Sequence, residues 1–417
     1  MVAERWSPAR RVAFRMTFAY ALLFLFPPSF LLLAIPHADD SLSFLDTGPL
    51  ARWLMLHLFH VTVPPPAEIM GGDNAQNWAR IPCTLLVAAV ITLVWSIVDR
   101  RRHAYPRLAD LLRTFLRYTL APVMWGYGWA KVMPLQFPFP PLSRLMATWG
   151  DTPRMVVLWN FMGLSRPYCV FTGVVECVGA VLLLWRRTAT IGALILAGAL
   201  TNVFVLNLCY DVPVKEWSAH LLLASVAVAS ADLVRIARLL LVRHPVRPAP
   251  LRVELPSWFE RARPFAKIAL IVGCAFSVTS TTKEHLAMRE AQSQRTTLFG
   301  MWNVEASEPP LPDDVRWRRL LVDEGGAMRV ENMDPAAART WYRVDEDDVL
   351  KSITMTPSEP QAAVYALLHY GRPDDDHLQL QGDLGGAHVT MRLRRVDQQL
   401  TILTHGFHWV QEQPFER

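Results

Sequence analysis

Long apolar runs, separated by short polar or arginine-rich connections, occupy the first two-thirds of the chain. Seven of them lie at about 13–35, 82–98, 109–132, 167–185, 189–209, 217–236 and 265–281. Each approaches the roughly 20 mostly apolar residues that a membrane-crossing helix needs, so the pattern predicts seven spanning helices. The first run follows Arg10, Arg11 and Arg15 and so has the flank of a signal peptide. Its length, its Pro27-Pro28 pair and the lack of a small-residue cleavage site predict a retained helix instead. Between the first two runs, at about 36–81, "PLARWLMLHLFHV" repeats apolar residues at helical spacing, which predicts a short helix lying in the interface. The Pro- and Trp-rich connection 133–166 is expected to fold back onto the helix ends.

The period changes from about residue 290. "GMWNVEASE", "VRWRRLLVDE", "AMRVENM", "RTWYRVDED", "VLKSITMT", "AVYALLHYG", "HLQLQG", "HVTMRLRRVD" and "LTILTHGFHWVQE" are short, and many alternate apolar with polar residues. Turn sequences such as "DEGGA", "GRPDDD" and "GDLGGA" separate them. The expectation is an antiparallel meander closed, or nearly closed, into a barrel, because closure removes exposed strand edges. Its opening Gly300-x-Trp302 resembles the start of a lipocalin-like barrel. The predicted class is thus a multi-domain membrane protein, with an all-α bundle followed by an all-β domain. Its divisions are 1–107 (two helices and an outer loop), 108–240 (a four-helix core), 241–288 (a linker and a seventh helix) and 289–417 (the β domain).

Composition agrees with the pattern. The chain has 417 residues, 52% of them hydrophobic, and a positive mean hydropathy, which is unusual for a soluble domain. The net charge of +5 is carried by Arg residues gathered at the ends of alternate apolar runs. That reads as membrane orientation, with the lipid bilayer as partner and not nucleic acid. It predicts a multi-pass membrane protein, N-terminus cytoplasmic and C-terminal domain outside.

Charged or polar groups at membrane depth are functional candidates by default. Counting along the helices puts Glu176 and Asn202 at similar depth, facing each other near mid-bilayer. Tyr127 and Lys131 lie one turn apart nearer the outside. Asn207, Tyr210, Asp211, Lys215 and His220 surround a Pro213 turn. If the helices bundle in sequence order, these nine converge on one outward-facing polar pocket that narrows towards Glu176. The alternatives are structural. Lys131 would snorkel to the headgroups, Asp211 and Lys215 would pair within a turn, and the asparagines would bond neighbouring helices. Trp125, Tyr127 and Trp129 suit an aromatic belt. The five Cys form no CxxC and read as packing thiols. His405 and His408 find no third ligand at metal spacing. No GxSxG, phosphate-binding loop or dinucleotide motif occurs, so no self-contained catalytic or metal site is expected.

The stretches "RYTLAPVMWGYGWAKVMP" and "FTGVVECVGAVLLLWRRTATIGALILAG" resemble the DoxX family of small bacterial membrane proteins. The likeness rests on Gly128-x-x-Lys131 near a helix end and on Glu176 among small residues before a tight Arg turn. It covers about 130 residues; helices one, two and seven and the β domain depart from the family's four-helix pattern. The resemblance implies a bacterial inner membrane and a place in membrane redox chemistry of the quinone or thiol type. Together with the converging polar groups it gives one functional reading, in which the outer pocket takes a quinone or a small thiol species and Glu176 and His220 move protons. The residues themselves name no cofactor. Two other functions stand beside it: a binding or transport protein for a lipid or small amphiphile, held in part by the barrel, and an anchor that presents 289–417 to an extracytoplasmic protein partner.

Overall fold

The computed structural model describes residues 5–25, 47–61, 72–241, 257–292, 296–334, 340–357, 364–384, 386–397, 400–404 and 408–412. Contacts divide the chain into two compact units. Unit 1 is Met1–Phe139 with Pro153–Glu284, and unit 2 is Pro140–Thr152 with His285–Arg417.

Unit 1 is helical. Its elements are α1 (Pro8–Phe24), α2 (Gly48–His57), α3 (Ala75–Val98), α4 (Pro106–Val132), α6 (Arg154–Leu164), α7 (Arg166–Leu183), α8 (Ala189–Cys209) and α9 (Lys215–Leu241); α5 (Leu142–Leu145) belongs to unit 2, and α10 (Ser257–Gln292) begins in unit 1. Three described helices, α3, α7 and α8, are long and apolar enough to cross a membrane. The expected runs at 109–132, 217–236 and 265–281 are helical as well, and the second half of 13–35 lies outside the described residues. A helix does form in "PLARWLMLH": it is α2, which packs on α3 and leaves Trp53 and Leu56 exposed.

Helix starts follow their capping residues. Ser7 Oγ accepts from Arg10 N–H before Pro8 opens α1, and Asn74 Oδ1 accepts from Asn77 N–H before α3. Helix α9 is capped from elsewhere in the chain: Asp73 accepts from the N–H groups of Lys215 and Glu216 at 2.7 and 3.1 Å. Helices α4, α7, α8 and α9 pack in a ring, α4 on α7, α7 on α8, α8 on α9 and α9 on α4. Leu116, Leu120, Met124, Leu183, Leu196, Leu200, Leu221 and Val228 form its core.

A charged network closes one end of that ring. The last carbonyls of a helix have no partner within it. Buried Arg117 on α4 supplies one, donating to Leu183 O at the end of α7 from Nε and Nη2 at 2.9 and 2.6 Å. Arg186 pairs with Asp110, Arg113 meets Asp232 at 2.7 Å, and Asp232 also takes Thr190 and Arg235.

Unit 2 is a closed barrel of eight antiparallel strands in sequence order, β1 (Gly300–Glu308) pairing with β8 (Ala387–Arg395). Between them run β2 (Trp317–Val322), β3 (Ala327–Asn332), β4 (Thr340–Asp347), β5 (Ser352–Pro357), β6 (Ala366–Gly371) and β7 (His377–Leu384). Eight of the nine expected segments are these strands. The ninth, "LTILTHGFHWVQE", is a helical turn, α11 (Thr401–Thr404), with 405–407 outside the described residues, because β8 already closes the sheet on β1. Alternation is strict in β6 and β7, where every second residue is buried.

The barrel interior is filled. Trp302, Leu320, Met328, Ile353, Met355, Leu368, Leu380 and Met391 are each at most 1% exposed. Trp302, the hallmark of the lipocalin-like opening, spends its indole N–H on Leu298 O at 2.7 Å. Eight strands enclose a space that side chains can fill or that can hold one small ligand; among the described residues, packed core takes the place of the expected apolar ligand cavity. Segment 140–152 is tied to this barrel. Buried Ser143 donates its backbone N–H to Asp323 Oδ1 at 3.0 Å and its hydroxyl to Oδ2, while Arg329 holds Ser143 O at 2.9 Å.

Leu320→Ala should cost unit 2 about 2–5 kcal/mol, read by denaturant unfolding of the full chain. A second test uses pH. Burial pushes the Asp323 carboxyl above its ordinary value, against the opposing hydrogen bonds from Ser143. An acid raised in the fold binds its proton more tightly there than in the unfolded chain. Its contribution to stability is therefore present below the unfolded value and lost as pH rises through the folded one. The difference in melting temperature between wild type and Asp323→Asn should fall as pH rises across that window.

Candidate functional site

Two glycines set the site. Gly128 on α4 and Gly173 on α7 let the helix backbones touch: a Cβ at Gly128 would lie 2.6 Å from Gly173 O and 2.7 Å from Cys177 Sγ. Any larger residue would wedge the helices apart. Three residues beyond each glycine stands a charge, Lys131 and Glu176. Helical Cα–Cβ bonds tilt towards the N-terminus. The Lys131 chain therefore runs back along α4 into the bundle, where its Nζ meets Glu176 Oε2 at 2.6 Å. The side chains are 8% and 3% exposed. The ammonium also lies 5.8 Å from the Tyr127 ring centroid. Outward snorkelling of Lys131 is thereby excluded.

Two thiols border the pair. Cys169 Sγ lies 3.4 Å from Lys131 O and Cys177 Sγ 3.9 Å from Trp125 O. Cys83, Cys169 and Cys177 are buried free thiols and Cys209 is an exposed one. Trp125 and Trp129 stack at 6.1 Å, and Trp129 donates to Thr282 of α10 at 2.9 Å. Trp129 thus contacts α10, while Trp125 packs against the core of the ring.

The single expected pocket resolves into separate groups. Tyr127, Lys131 and Glu176 stay together. Asn202 does not join them; it is exposed on α8, because the short route from Lys131 gives Glu176 its partner on α4. Asn207 is buried and donates to Ser218 Oγ at 3.0 Å, bonding α8 to α9. Tyr210 packs in an apolar cluster with Phe137, Leu158, Met162, Cys169 and Val212. Asp211 turns outward at φ 54°, in the left-handed region that Asp tolerates, with its side chain 81% exposed. It meets Lys215 at 2.8 Å, and that ammonium holds its carboxyl below the ordinary range. Lys215 also reaches Asp73 at 3.5 Å.

His220 faces away from Lys131. Leu221, Ala224 and Val228 take the inner face of α9, so His220 lies on the flank towards α1. There its Nε2 is 2.7 Å from Tyr20 Oη and its ring stacks on Phe24 at 3.7 Å. Asp73, Tyr20 and Arg117 were invisible as site residues because their partners lie far off in sequence. The Glu216–His220 spacing of one helical turn is the signal that would have found that pair. Among the described residues no three His, Cys, Asp or Glu side chains are grouped for a metal ion.

Over 107 residues the chain is 37% identical to the uncharacterized protein YwoB of Bacillus subtilis (strain 168), a stretch amounting to 25% of this chain and 67% of that protein. No family model and no solved structure matches the chain.

Removing one partner of a buried pair strands the other charge. Lys131→Ala or Glu176→Ala should each destabilise unit 1 by about 3–5 kcal/mol. The Lys131→Met, Glu176→Leu double variant should recover most of that loss, as measured by unfolding of the full chain in detergent. Equal losses in single and double variants would mean the charges do not depend on each other.

Proposed function

Because the chain belongs to the family of YwoB, a protein whose name carries no activity, its function has to be read from geometry, and we propose that it is a multi-pass inner-membrane protein of the DoxX-like type. Its four-helix ring carries one buried charge pair, which serves a membrane redox system. The observation that carries this reading is Lys131–Glu176, closed at 2.6 Å between apolar helices. Two desolvated charges cost several kcal/mol each before they attract one another, and apolar residues of similar volume pack as well or better. A pair kept under that cost reads as working groups. The barrel then stands outside the membrane.

A quinone is a poor fit to this site as it stands. The glycine contact between α4 and α7 leaves no slot for a ring, and the Lys131 ammonium and Glu176 carboxylate satisfy each other. The pair holds charge within the bundle.

A second reading has its own support: unit 1 anchors the barrel for an extracytoplasmic protein partner. The filled barrel interior favours it, because a packed domain without a ligand cavity works through its surface. The same filling removes the best support for a lipid- or amphiphile-binding barrel.

One complementation experiment separates the two. In a deletion strain challenged with a thiol oxidant, wild type should restore resistance and the Lys131→Met, Glu176→Leu variant, produced at equal level, should fail. Full rescue by that variant would favour the anchor. Unchanged oxidant sensitivity on deletion would overturn the redox reading itself.

A further inference from the structure

A second buried titratable cluster lies at the junction of α1, α3 and α9, apart from the Lys131–Glu176 pair. His220 Nδ1 is 2.7 Å from Glu216 O, a carbonyl that only accepts, so Nδ1 carries a hydrogen. In the neutral ring Nε2 is then an acceptor, and Tyr20 Oη at 2.7 Å donates to it. The Glu216 carboxylate lies beside this ring, with Oε2 3.6 Å from Nδ1. The Glu216 side chain is only 10% exposed, yet its Oε2 has no hydrogen-bond partner among the described residues. A buried carboxylate oxygen left unbonded costs free energy, and in this place it faces a base that has one proton fewer than it can hold.

We infer that Glu216 and His220 form a proton-binding site in unit 1, with Tyr20 as the reporting group on α1. The step is the uptake of one proton from water. The proton adds to His220 Nε2 and makes an imidazolium. Nδ1–H keeps its hydrogen, and the Glu216 carboxylate becomes the counter-ion, its orphan Oε2 drawn into a charge-assisted bond. Tyr20 Oη, which donated to Nε2, now accepts from it, and its own hydrogen turns to another acceptor. No electron moves and no bond other than N–H forms.

The surroundings suit a shared proton. The Phe24 ring covers one face of the imidazole at 3.7 Å and shuts out water there. The charged groups around the site come from each neighbouring segment: Arg80 on α3, over Phe24 at 5.2 Å; Asp73, which caps α9; and Lys215, paired with Asp73 and Asp211. Two cations thus stand near two anions besides Glu216, so the carboxylate next to His220 decides the local balance. Sequence alone groups His220 with Glu176 as proton carriers; in the structure its partner is Glu216, at a cluster apart from the Lys131–Glu176 pair, so the inference does not depend on the role proposed for that pair.

The test is proton uptake by the full-length protein in lipid nanodiscs, with infrared difference spectra of the imidazole and tyrosine bands taken across about pH 5 to 8. Wild type should take up one proton at a site whose imidazolium and tyrosine signals change together. His220→Gln should lose both signals. Glu216→Gln, isosteric and folded by its unchanged melting profile, should keep them but with proton affinity reduced about tenfold or more, the effect of losing an adjacent opposite charge. The Lys131→Met, Glu176→Leu variant should leave them unchanged. A His220 ring that stays neutral throughout the range, or one whose affinity is the same in Glu216→Gln, would overturn the proposal.

Discussion

The contact of Gly128 with Gly173 is the constraint on which the helical unit depends. With no side chain at either position, α4 and α7 approach until their backbones touch. Only at that distance does the inward-tilted Lys131 chain reach Glu176. The pair and the contact support each other. Close packing excludes water and makes an unpaired charge intolerable, and the attraction within the closed pair offsets the desolvation cost that packing imposes. The rest of the ring follows the same economy of burial. Arg117 satisfies the carbonyl end of α7, Asp73 the amide end of α9, and Asn207 with Ser218 join α8 to α9.

The barrel solves a different problem by ordinary means. Two of its strands alternate strictly, its first and last strands pair, and a buried apolar core fills its centre. Its one unusual partner is segment 140–152, whose Ser143 is bound at backbone and side chain by Asp323 and Arg329. A connection that interrupts the helical sequence is thus built into the β unit, and the chain enters unit 2 twice.

Periodicity alone revealed much of this. The change from long apolar runs to short alternating ones placed eight strands and most helices, because both signals depend on neighbours in sequence. The candidate site was legible only in part. Lys131 and Glu176 stood out as charges among apolar residues, but counting depth paired Glu176 with Asn202. Depth along a helix says nothing of which face a residue takes, and Asn202 lies on the outer one. The same gap sent His220 towards Lys131 when its partners are Tyr20 and Phe24, 200 and 196 positions earlier in the chain. Ser143 and Asp323, 180 residues apart, left no trace in either local pattern.

The central claim is that Lys131 and Glu176 are joined inside the bundle when the protein is in a bilayer. Solid-state NMR on protein labelled with ¹⁵N-lysine and ¹³C-glutamate, reconstituted in lipid, measures this directly. The account predicts a through-space correlation between Lys131 Nζ and Glu176 Cδ, slow exchange of the ammonium protons with water, and loss of the correlation in Gly128→Leu. An Nζ that exchanges freely with water and shows no contact with Glu176 would contradict it.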